Sequence, residues 1–111
     1  MQSSDEVVQA LRRHLMVELA QTSLAHAARA LAMSTRSLQR QLAAAGTSLR
    51  LELERARFER ARAQLVASDV KLEALALELG FASPSHFASR FRRAVGETPS
   101  QYRARHRAVG A

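Results

Sequence analysis

The chain has 111 residues and a formal charge of +7, from 17 basic and 10 acidic side chains, and it contains no cysteine. That length holds one domain or two very small ones, and the missing thiols exclude disulfides, thiolate metal sites and cysteine catalysis. No apolar run approaches the roughly 18 residues a membrane span needs, and the opening "MQSSDEVVQALRR" lacks a signal-peptide layout. Hydrophobic residues make up 47% of the chain and aromatics only 5%, and isoleucine is absent. Ala and Leu dominate the apolar set and favour helix, while strand-forming residues are few. An all-α fold is expected.

Helix start and stop signals divide the chain into about seven helices. The first runs near Asp5 to Ala20, with Asp5 and Glu6 in the opening turn where the helix dipole favours acids. Ser23 caps a short second helix, "LAHAARALA". Ser34 caps "TRSLQRQLAAA", which Gly46 closes. Ser48 opens a long helical stretch to about Ser68. A fifth helix covers Leu72 to Leu79 and stops at Gly80. Ser83 caps the sixth, with Pro84 at the first helical position, where its missing N–H is harmless, and Gly96 ends it. Thr98 caps the seventh, "TPSQYRARHR".

The pieces repeat. "LAHAARALAMSTRSLQRQL" and "LEALALELGFASPSHFASRF" each hold a short Ala/Leu helix, a turn, a serine, and a helix with large apolar residues four apart. Leu38 and Leu42 in the first correspond to Phe87 and Phe91 in the second. A short helix, a tight turn and a second helix with one buried face is the helix-turn-helix pattern. The expected organisation is a first such subdomain over 5–47, a connecting helix over 48–68 and a second subdomain over 69–107.

The charge follows this division. Residues 1–33 are neutral, 34–68 carry +4, 69–80 carry −2 and 81–111 carry +5. Two basic zones suit two contacts with one polyanion. All basic residues but Lys71 are arginine, a bias that GC-rich coding also produces, so the faces decide more than the charge.

At 100° per residue, Phe87, Ala88, Phe91, Ala94 and Val95 share one side of the sixth helix. Ser85, His86, Ser89 and Arg93 lie opposite, with Arg90 and Arg92 on the flanks. In the third helix Leu38, Leu42 and Ala45 form the apolar stripe, and Arg36 and Arg40 oppose it. Two arginines at i and i+4 repel in an isolated helix; an anion or a base edge beneath them explains the pair. Arg with guanine and Gln with adenine are the bidentate pairings of the major groove, which makes Arg36, Gln39 and Arg40 base-reading candidates. Ser85, His86 and Ser89 hold the equivalent face of the second unit. Ser34, Thr35, Ser37 and Ser83, near helix N-termini, suit phosphate, as do Arg90, Arg93 and Arg103. The connecting stretch, about 20 residues and roughly 30 Å long, approaches one turn of B-DNA, the spacing between successive major grooves on one face.

Other chemistries find little footing. His14, His26, His86 and His106 are scattered without ligand spacing, so no metal is expected. No glycine-rich phosphate loop and no nucleophile with a base nearby occur, so neither a cofactor nor an enzymatic activity is expected. RNA binding lacks exposed stacking aromatics, because all four Phe fit buried positions. A helical protein-interaction module, contacting an acidic partner such as RNA polymerase, is the alternative to DNA binding.

The chain resembles the DNA-binding domain of the AraC/XylS family of bacterial transcription regulators, from about Val7 to Arg105. The most specific part is "LALELGFASPSHFASRFRRAVGETPSQYR", with its Leu-Gly-Phe turn, spaced Phe pair, basic pair, Gly, Thr-Pro and Tyr-Arg. "ARALAMSTRSLQRQLAAAGTSL" fits the first unit. The resemblance implies two helix-turn-helix subdomains joined by a long helix, binding asymmetric sites on double-stranded DNA near promoters. Carried over by position, the base readers are Arg36, Gln39 and Arg40, then Pro84, Ser85 and Ser89. Ser89 departs from the pattern, since a basic residue often stands there and arginine arrives one later at Arg90. The second unit is therefore expected to act mainly through phosphates. Most family members carry a sensor or dimerisation domain ahead of this region, so an excised domain of a cytoplasmic, nucleoid-associated bacterial regulator is expected.

Overall fold

The computed structural model describes residues 3–19 and 22–110. Among them the chain forms seven α-helices and no strand: α1 Ser4–Leu15, α2 Leu24–Ala30, α3 Thr35–Ala44, α4 Leu49–Ala67, α5 Leu72–Glu78, α6 Pro84–Val95 and α7 Pro99–Gly110. The caps lie where the sequence puts them. The hydroxyls of Ser23, Ser34, Ser48 and Ser83 accept the amides of His26, Ser37, Leu51 and His86 at 3.0–3.2 Å. Thr98 and Gln101 bond reciprocally, Gln101 N–H to Thr98 Oγ1 at 3.1 Å and Thr98 N–H to Gln101 Oε1 at 2.9 Å, a capping box.

The first helix is shorter than expected. It stops at Leu15, and the amides of Val17 and Glu18 both bond to the His14 carbonyl at 3.1 Å. Leu15 and Leu19 are buried while Met16 and Val17 are largely exposed. Leu15 and Leu19 imitate one continuing helical stripe, but a turn delivers both to the core; the expected end at Ala20 lies outside the described residues.

The chain divides into two compact units, one ending at Ala56 and the other beginning at Arg57. The division falls inside α4. Its first half belongs to the first unit through buried Glu52, its second half to the second unit through buried Phe58, Ala61 and Leu65.

The first unit has an aliphatic core: Val7, Leu11 and Leu15 of α1, Ala27 and Ala28 of α2, and Leu38 and Leu42 of α3. Ala45, expected in the same stripe, is exposed because it lies beyond the last turn that packs. One polar group joins this core. The carboxylate of Glu52 accepts from Arg12 Nε at 2.6 Å and from Thr47 Oγ1 at 2.8 Å. Those contacts, led by the bond from Arg12, hold its carboxyl below the usual glutamate range, although burial works the other way.

The second unit has an aromatic core. Phe81 and Phe87 stand 5.1 Å apart by ring centroid, Phe87 and Phe91 5.8 Å, and Phe91 and Tyr102 5.6 Å. Phe58 of α4 joins at 6.1 Å from both Phe81 and Phe91. Edge-to-face and tilted pairs at these separations add to the burial of each ring. Ala94 is exposed and Val95 half-buried, so the apolar side of α6 is narrower than the wheel suggests.

The two helix-turn-helix turns close alike. After α2, the amide of Met33 bonds to Ala28 O at 2.8 Å and that of Ala32 to Arg29 O at 3.1 Å; after α5, Phe81 bonds to Ala76 O at 2.9 Å and Gly80 to Leu77 O at 3.0 Å. The residue between is left-handed in both, Ala32 at φ +57° and Gly80 at φ +88°.

Candidate nucleic-acid interface

Burial of Leu38 and Leu42 orients α3 and turns its opposite side to solvent. Arg36, Gln39 and Arg40 are all exposed there, as are Ser34, Thr35 and Ser37. No ion pair or hydrogen bond ties Arg36, Gln39 or Arg40 to any other described residue. A helix face with two arginines and a glutamine, all unengaged, can offer bidentate donors to base edges. The Ser34 hydroxyl oxygen accepts the Ser37 amide at 3.0 Å, which leaves its proton for an outside acceptor such as phosphate.

Burial of Phe87 and Phe91 orients α6 in the same way. Ser85, His86 and Ser89 are exposed, with Arg92 and Arg93, and Pro84 stands at the first helical position. The His86 ring lies edge-on to Phe81 at 5.8 Å, so the core fixes its direction. Ser83 is half-buried and caps the helix by accepting the His86 amide at 3.1 Å. Arg90 is half-buried and interacts within the protein.

Arg103 departs from the phosphate role expected of it. Its Nε donates to Leu65 O at 3.1 Å and its Nη2 to Val70 O at 2.8 Å. Arg107, one turn on, bonds Ser68 O and Asp69. The last carbonyls of a helix lack partners and carry negative potential, so the end of α4 draws both guanidinium groups inward. Asp69 has its carboxyl lowered by the hydrogen bond from Arg107. Arg105 meets Glu97 at 2.9 Å instead. Three arginines of the C-terminal basic zone therefore serve the fold.

Sequence reasoning missed Glu52. The signal was weak: on the α4 wheel Glu52 lies beside the arc of Leu49, Leu53 and Ala56, at the edge of that apolar stripe and not within it. Its partner Arg12 is 40 residues away, which local periodicity does not reveal. Among the described residues no group of three or more His, Cys, Asp or Glu side chains is placed to hold a metal, and no helix is long and apolar enough to cross a membrane.

Comparison with known proteins fits this geometry. A helix-turn-helix domain family of the AraC/XylS type matches residues 27–105, and the chain belongs to that family. It is similar to the transcriptional activator NphR of Rhodococcus sp, 35% identical over 92 residues, covering 83% of this chain and 28% of that protein. Among solved structures it resembles a DNA-binding transcriptional dual regulator from Escherichia coli K-12, with TM-score 0.84 and 28% identity over 89% of this chain and 96% of the other. It also resembles the DNA-binding domain of AdpA, a global transcriptional factor solved in complex with a target DNA, with TM-score 0.74 and 30% identity over 97% and 96% of the two chains. The chain spans about a quarter of the length of the curated relatives it matches, 24% to 28%.

Proposed function

We propose that the chain binds double-stranded DNA sequence-specifically and thereby regulates transcription. The observation that carries this is the outward face of α3, where Arg36, Gln39 and Arg40 are exposed and unengaged on a helix locked by Leu38 and Leu42. In this reading α3 and α6 each enter a major groove, successive grooves on one face of the duplex. Arg36, Gln39 and Arg40 carry most base discrimination, with Ser85, His86 and Ser89 contributing less. Ser34, Thr35, Ser37, Ser83, Arg90 and Arg93 hold phosphates. Membership of a family with a DNA-bound structural relative supports the reading.

The chain is proposed as the DNA-reading part of a longer regulator with a sensor or dimerisation domain, acting on the bacterial nucleoid with RNA polymerase as a further partner. No catalytic step belongs to this role. Selecting bound sequences from a random duplex pool tests it: two conserved half-sites one helical turn apart are expected. On the selected duplex Arg40→Ala is expected to lose about 1–3 kcal/mol, with relaxed preference at one base position. An equal loss on random duplex overturns the base-reading role of Arg40.

A further inference from the structure

We infer that one sugar–phosphate strand of the bound duplex lies in a groove beside α3 and is held there by Arg50. The inference rests on the DNA-binding reading above and adds a contact that sequence reasoning did not identify. The groove has a volume of about 470 Å³ and is bounded by Leu24 of α2, Gln39 and Ala43 of α3, and Ser48, Leu49 and Arg50 at the start of α4. Gln39 belongs to the proposed reading face, so groove and face are continuous. A helix seated in a major groove about 12 Å wide has a backbone strand along each side. The strand on the Gln39 side must pass where this groove opens.

The lining fits that occupant. Leu24, Ala43 and Leu49 give an apolar floor suited to deoxyribose carbons. Arg50 is exposed and has no acidic partner among the described residues, so its charge is available to a phosphate oxygen. The Ser48 hydroxyl accepts the Leu51 amide at 3.2 Å, which leaves its proton for a second phosphate oxygen. Arg50 reads no base in this arrangement; it fixes how deeply and in what register α3 enters the groove.

The test is a salt series of binding measurements on the whole chain, by fluorescence anisotropy, with a selected duplex and a random duplex. Arg50→Ala is expected to weaken both by a similar factor, on the order of 5- to 20-fold, and to lower the slope of log affinity against log salt by about 1. Arg50→Lys should restore most of that slope. Ala43→Glu, which places a carboxylate in the groove, should weaken both duplexes, and more so at low salt. Arg50 and Ala43 are exposed, and far-ultraviolet circular dichroism checks that each variant stays folded. Unchanged affinity and slope for Arg50→Ala, with Arg40→Ala still losing specific binding, overturns the strand path and leaves DNA reading intact. Failure of the unaltered chain to bind any duplex overturns both.

Discussion

In the first unit the arginines of α3, Arg36 and Arg40, face outward and are unengaged. In the second unit Arg103, Arg105 and Arg107 bond to backbone carbonyls or acids, and the outward side of α6 offers Ser85, His86 and Ser89. The two equivalent helices thus present different side chains to solvent. Long planar donors on α3 suit discrimination between bases, and short hydroxyls on α6 suit closer, less selective approach. The cores differ in parallel. Aliphatic packing plus one buried ion pair holds α3, whereas an aromatic cluster holds α6. The Glu52 contact with Thr47, three residues past the end of α3, ties the exit of α3 to α1 and α4.

The largest expected effect probes the aromatic side of this contrast. Phe91 is fully buried and touches the rings of Phe58, Phe87 and Tyr102. Phe91→Ala should destabilise the second unit by about 3–5 kcal/mol. The chain holds a single Tyr and no Trp, so tyrosine emission during urea unfolding reports Tyr102, in the second unit alone. An unchanged midpoint by that signal would mean the cluster does not hold α6.

Next comes the buried pair of the first unit. Removing Arg12 leaves Glu52 charged and desolvated. Arg12 is about one-third exposed, at 35% of its side chain, so the loss expected for Arg12→Ala is about 2 kcal/mol, less than for a fully buried pair. The pH dependence has a definite sign. A carboxyl held below its unfolded value of 4.5 contributes stability that is complete above that value and is lost as pH falls through the folded pKa. Acid unfolding of the first unit below about pH 4.5 should become shallower in Glu52→Gln. An identical acid limb in the two proteins would show that Glu52 does not set it.

These two experiments also mark where sequence reasoning stopped. The helices, their serine caps and the Leu38/Leu42 and Phe87/Phe91 anchors follow from local periodicity and hydrogen-bonding chemistry, and so does exposure of Arg36, Gln39 and Arg40. Their contact with bases stays a proposal. What local pattern could not supply was pairing across long separations: Arg12 with Glu52, and Arg103 with the carbonyls of Leu65 and Val70. Arg103 read as a phosphate clamp because an exposed arginine and one turned onto a helix end look alike in sequence. The end of α1 misled for a related reason, since Leu15 and Leu19 keep a spacing of four across a turn that is not helical.

The smallest expected effect tests whether the two turns are as equivalent as their hydrogen bonds suggest. Ala32 and Gly80 occupy the same left-handed position. A Cβ in that conformation costs about 1–2 kcal/mol. Glycine relieves it, but it also gives the unfolded chain more freedom, which takes back about 0.5–1 kcal/mol. Ala32→Gly should therefore stabilise the first unit by a net amount of about 0.5 kcal/mol. Gly80→Ala should shift the second unit the opposite way. Far-ultraviolet circular dichroism in urea, read beside tyrosine emission, separates the two. If Ala32→Gly lowers stability instead, the chain-entropy term outweighs the strain at φ +57°, and the first turn tolerates alanine because it lies nearer the minimum of the left-handed region than Gly80 at φ +88°.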